Sequence, residues 1–144
     1  MSQTGDIKLK IRDLLQDLVD NGTLAAITVL NKPVAIFSLI PDKFPVAVLA
    51  NNSFTGERLT NRDNEITHTF EILVIEKSEN IDTDTYLEDM AEVMRKKFAD
   101  NETLGGLSVA IEPSVSQAAP ISETDYSMTI FLLTLKVRAV EALT

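Results

Sequence analysis

The nearest approach to catalytic chemistry in this chain is Gly106-Leu107-Ser108-Val109-Ala110, which resembles the Gly-x-Ser-x-Gly turn that presents a nucleophilic serine. Ser108, however, enters a strand pattern rather than a strand-to-helix turn, and that hydrolase order needs a histidine downstream. The sole histidine, His68, lies upstream. It shares a strand face with Ile66 and Phe70 and reads as a partly buried, hydrogen-bonded side chain rather than a catalytic or pH-sensing one. Asp82-x-Asp84 opens like a calcium loop, but Tyr86, Leu87 and Val93 occupy the places of a short polar ligand, a glycine and a bidentate glutamate. Asn61-x-Asp63-x-Glu65 fails similarly, with Ile66 where that loop needs glycine. No cysteine is present and neither glycine-rich phosphate fingerprint occurs. The expectation is therefore a protein with no catalytic, metal or cofactor-binding residues and no cofactor. Acid pairs that meet only in three dimensions stay open.

Composition narrows the class. The chain has 144 residues, 44% hydrophobic and 24% charged, with a mean hydropathy of +0.06, which suits a single globular domain over residues 1–144. Its formal charge of −9 repels phosphate backbones, and no stretch interleaves cations with aromatics. Arg95-Lys96-Lys97 reads as the cationic last turn of a helix, where positive charge favours the negative end of the dipole. The first residues lack a basic region and an apolar core, and no apolar run is long enough to span a bilayer, so cytoplasmic synthesis without membrane partners is expected. Under that expectation the Asn-x-Ser/Thr triplets at Asn21, Asn51 and Asn101 are chance matches to a glycosylation acceptor.

The elements that would position any site follow from periodicity. Ile7, Ile11, Leu14, Leu15, Leu18 and Val19 keep one helical face, predicting a helix over about Asp6 to Asp20 that ends at Asn21-Gly22. Short strands are expected at Leu24 to Leu30, Val34 to Ile40 and Pro45 to Ala50, with prolines at their ends or edges. The polar stretch Asn51 to Glu65 reads as a long exposed loop or hairpin tip. Ile66 to Glu76 alternates, with Ile66, His68, Phe70, Ile72 and Val74 on one face. Leu87, Met90, Ala91, Met94 and Phe98 make the buried stripe of a second helix, with Thr85 and Glu88 spaced as a capping box and Glu88, Asp89 and Glu92 on its solvated face. Asn101 is expected in a left-handed conformation past that helix, and Gly105-Gly106 reverse the chain into a strand over Leu107 to Ile111. Pro113 to Asp125 reads as loop. Tyr126 to Val140 then alternates Phe131, Leu133, Leu135 and Val137 against Met128, Ile130, Leu132, Thr134, Lys136 and Arg138, a strand that would reach about 45 Å. Its apolar first half on both faces suggests helices on one side and another subunit on the other. The expected fold is α+β: a mainly antiparallel or mixed sheet with two principal helices packed on one face.

The turn Asn101-Glu102-Thr103-Leu104-Gly105-Gly106 between a helix and a strand resembles the second half of bacteriophage tail terminator proteins. So does the element order with its proline-led run Phe44-Pro45-Val46-Ala47-Val48 and the strand Thr69-Phe70-Glu71-Ile72-Leu73-Val74-Ile75. The resemblance spans about Ile7 to Val140, while Val34 to Phe44 is more apolar and proline-rich than a simple hairpin. It implies a non-enzymatic virion protein that forms a homo-oligomeric ring, usually a hexamer, on the tail tube, stops tube polymerisation and offers a surface to head-tail connector proteins. DNA would pass through the ring without specific binding, after assembly in the host cytoplasm. Under that reading Asn52, Phe54, Glu57, Arg58, Asn61 and Arg62 form the loop that contacts tube or neck, Met128, Ile130 and Leu132 the ring interface, and Asp63, Glu65, Glu123 and Asp125 the acids of the lumen. The alternatives are another neck or head-completion protein, or a monomeric ligand-binding or enzymatic α+β module.

Overall fold

The structure, a computed structural model, describes residues 3–29, 44–58, 63–81, 85–106, 108, 110–121 and 128–142. Helix α1 (Gln3–Asp20) leads into β1 (Ala26–Val29), β2 (Val46–Arg58) and β3 (Asp63–Lys77), followed by α2 (Tyr86–Ala99), β4 (Ala110–Val115), β5 (Ala119–Ile121) and β6 (Met128–Ala142). The strands make one sheet in the order β1-β2-β3-β6-β4, with β5 also pairing with β6. β1 runs parallel to β2 and all other pairings are antiparallel, so the fold is the expected α+β arrangement with a mixed sheet and two helices. The expected strand over Val34 to Ile40 lies outside the described residues.

Alternation decides which sheet face is the core. Ala47 and Leu49 of β2, Phe70, Ile72 and Val74 of β3, and Phe131, Leu133, Leu135, Val137 and Ala139 of β6 are buried together with Ile7, Ile11, Leu15 and Leu18 of α1 and Leu87, Met90, Ala91, Met94 and Phe98 of α2. These are the stripes read from the sequence, and each fully buried aliphatic or aromatic side chain contributes roughly 1.5–3 kcal/mol. On the other face Val46, Val48, Ile75 and Met128 form a second, smaller cluster with Leu73 and Ile130 beside it. Met128, expected at a ring interface, is only 5% exposed because it packs in this cluster.

The polar stretch after Ala50 is a strand rather than a loop as far as Arg58. Asn51 to Arg58 pair with Glu71 to Asn64 of β3, after a register shift between Leu49 and Asn51. Polarity misled the reading because the backbone ladder with β3, not apolar side chains, makes this stretch a strand. Strands of 15 residues reach about 50 Å, whereas helices of 18 and 14 residues reach about 27 and 21 Å. β3 and β6 are therefore longer than either helix, yet their inward residues stay buried as far as Ile66 and Ala139.

Three local expectations are also corrected. Thr85 makes no side-chain cap on α2, so the capping box is not formed, although Glu88 and Asp89 still favour the positive end of the helix dipole. Asn101 is not left-handed. Its side-chain Nδ2 donates to the Lys97 carbonyl at 2.7 Å, and the left-handed residues of this turn are Leu104, Gly105 and Gly106, with φ of 47°, 70° and 99°. Of the strand expected over Leu107 to Ile111, Ser108 is not in a strand, β4 begins at Ala110, and residues 107 and 109 lie outside the described residues; β4 runs on through Pro113, with Pro120 in β5, and both prolines lie in strands at the sheet margin, where a missing N–H is tolerated.

Candidate functional site

Neither side chain singled out for chemistry is presented for it. Ser108 is buried and its hydroxyl donates to the Glu102 carbonyl at 2.6 Å, fastening the turn after α2. His68 is 2% exposed on the helix side of β3, its ring stacked on Phe70 at 6.3 Å between centroids, so the partly buried reading holds. Among the described residues no three His, Cys, Asp or Glu side chains lie close enough to hold a metal ion. Asp82, Asp84 and Asn61 lie outside them. No helix among the described residues is long and apolar enough to cross a membrane.

The contact residues expected from the sequence are scattered along one long hairpin. Asn52, Phe54, Glu57 and Arg58 sit on β2 opposite Phe70, His68, Glu65 and Asn64, while Asn61 and Arg62 lie outside the described residues. Of the expected lumen acids, Asp63 and Glu65 are residues of β3 rather than of a loop, and Glu123 and Asp125 lie outside the described residues. Glu65 faces away from the helices, 3.9 Å from the guanidinium of Arg138 on β6. Around that pair the sheet face turned away from α1 and α2 carries Thr67, Thr69, Glu71, Thr134 and Lys136, polar positions continuous with the apolar cluster at the other end. Ile130 and Leu132 sit on this face at half burial, with the Leu132 backbone bonded to both the amide and the hydroxyl of Ser116.

The sequence reading passed over two features at the α2 end of the molecule. Glu76 is 1% exposed, accepting a hydrogen bond from the Tyr86 hydroxyl and one from the Lys77 amide, each at 2.8 Å. The parity Phe70, Ile72, Val74, Glu76 placed this acid on the inward face, and that was its signal. The pair ties the end of β3 to the first turn of α2, while the hydroxyls of Ser78 and Thr129, 2.9 Å apart, join the residue after β3 to β6. Replacing Tyr86 with Phe removes a donor from a buried carboxylate and is expected to cost about 1–3 kcal/mol of stability in urea unfolding. An unchanged midpoint would mean that the contact contributes nothing.

Beside this tie, a cleft of about 500 Å³ opens between α2 and the segment joining β4 to β5. Its floor is apolar, with Leu87, Ala91, Val115 and Phe131, and its rim carries Glu88, Ser116 and Gln117. No sequence signal marked it, because Leu87 and Ala91 belong to the same stripe as the rest of the α2 core. One turn beyond Glu88, the side chain of Glu92 is ion-paired with Arg95, whose hydrogen bond holds the Glu92 carboxyl below its ordinary range.

No family model matches the sequence, and no curated protein matches it. In three dimensions it is similar to a chain in a solved structure described as "Virion of native gene transfer agent (GTA) particle", with a TM-score of 0.58 at 12% identity over 90% of this chain and 92% of that one. That likeness is one of fold, extending over nearly the whole length of both chains.

Proposed function

We propose that this chain is a structural subunit of a phage-like virion, and that it acts as a tail terminator: a homo-oligomeric ring that seats on the last ring of tail tube, ends polymerisation and presents the head-joining surface. The observation that carries this reading is the end-to-end likeness of fold to a chain of a virion particle. The helix-to-strand turn through Gly105-Gly106 supports it from the sequence. The fastened Ser108 and the buried His68 are in keeping with a part that works by shape rather than by bond chemistry.

A tube made of identical subunits grows because each added layer recreates the surface that accepts the next. A terminator binds that surface and offers a different one. This requires a subunit with unlike faces, and here α1 and α2 cover one sheet face while the other carries the polar positions Glu65, Thr67, Thr69, Glu71, Thr134 and Lys136. The chain mixed with purified tail tubes is expected to assemble into rings on tube ends, read as a ring-sized mass by light scattering and as end-caps by electron microscopy. A chain that stays monomeric at every concentration, and still does so beside tubes, would overturn the reading.

A further inference from the structure

The two margins of the helix layer carry complementary surfaces. α1 packs over β1 and α2 over β4 and β6, and β1 and β4 are at opposite ends of the sheet order. Asp17 pairs with Lys97 at 3.3 Å, and Lys10 faces the turn at Gly105, so these two mark the flank of α1 that meets α2. Lys8 and Arg12, one helical turn apart, lie on the other flank, towards the β1 margin, with Leu9 37% exposed beside them. At the opposite margin, Glu88 stands on the rim of the apolar cleft beside α2. Cations with an exposed leucine therefore lie at one end of the molecule, and an acid over an apolar cleft at the other.

We propose that α1 of a second copy of this chain docks in the cleft beside α2, with Leu9 over the floor formed by Leu87, Ala91 and Val115 and with Lys8 and Arg12 facing Glu88. This rests on the ring reading above and names its subunit contact. The contact joins unlike surfaces, the heterologous kind that closes into a ring when the rotation between copies divides a full turn. Within one chain Arg12 lies 3.6 Å from Asp13, with both side chains about half exposed, a pairing weak enough to exchange for Glu88 of a neighbour. Glu92 is already taken up by Arg95, which leaves Glu88 as the acid that answers the incoming cations.

Charge exchange tests this directly, because Glu88 and Arg12 are exposed and the half-buried Lys8 is, like them, outside the buried core. Glu88→Lys alone, and Lys8→Glu with Arg12→Glu, should each raise the concentration for ring formation on tail tubes at least about tenfold while leaving far-UV circular dichroism unchanged. Mixing the two variants in equal amounts should restore assembly, since every contact in an alternating ring then has opposite charges, and the three changes combined in one chain should do the same. A one-sided reversal that assembles at the wild-type concentration, or a mixture no better than its components, would overturn the contact while leaving the ring reading standing. A wild-type chain that never forms rings would overturn both.

Discussion

Virions assembled without this chain are expected to carry tails of ungoverned length, most of them longer than the wild-type tail, and few of these joined to heads. Tube growth by head-to-tail addition has no internal stop, since the newest layer presents the same acceptor as the one before. A length ruler can delay the last step, but only a bound cap removes the acceptor. The cap must favour the finished end strongly: shifting that equilibrium from 1:99 to 99:1 takes about 5.5 kcal/mol of differential binding, an amount that six weak subunit contacts can supply together when no single one could. Electron micrographs of particles from a deletion strain give the length distribution directly. Filled heads beside unattached tails of normal length would instead assign the chain to the neck, where joining rather than stopping is its task.

The parts of the fold that were legible in the sequence are those where one period rules. The stripe from Ile7 to Leu18 and the inward set Phe70, Ile72, Val74 are simple because a buried face tolerates no exceptions. The strand through Asn51 to Arg58 was legible only as a loop or hairpin tip, because its pairing with β3 is made by the backbone and its residues carry no apolar alternation. The burial of Met128 was not legible for the converse reason. An apolar residue on the sheet face away from α1 and α2 gives no sign in the sequence that Val46, Val48 and Ile75, distant along the chain, are brought beside it. The cleft beside α2 depends on the gap between a helix and the connection Ser116 to Ala118, and spacing along a chain carries no record of gaps.

The second large effect concerns DNA. On the ring reading, replacing Glu65 with Lys is expected to make assembled rings retain DNA. In the wild-type chain Glu65 lies beside Arg138, so the two charges largely cancel on the sheet face turned away from α1 and α2, and the net charge of −9 leaves the surroundings repulsive to phosphate. The substitution does two things at once: it adds a cation and releases Arg138 from its acid. Should this face line the channel, a ring of six copies would gain at least six phosphate-contacting cations. Binding that depends on six to ten such contacts weakens by about 10³–10⁵ between 50 and 200 mM salt, because each contact releases condensed counterions. The measurement is retention of duplex DNA by assembled rings across that salt range, paired with ejection rate from intact particles. Retention that appears at 50 mM, vanishes by 200 mM and slows ejection at low salt would put Glu65 on the channel wall. Correctly assembled Glu65→Lys rings that still ignore DNA at 50 mM would place this face away from the channel, and the acidic balance would then act as a solubility device that keeps unassembled subunits apart.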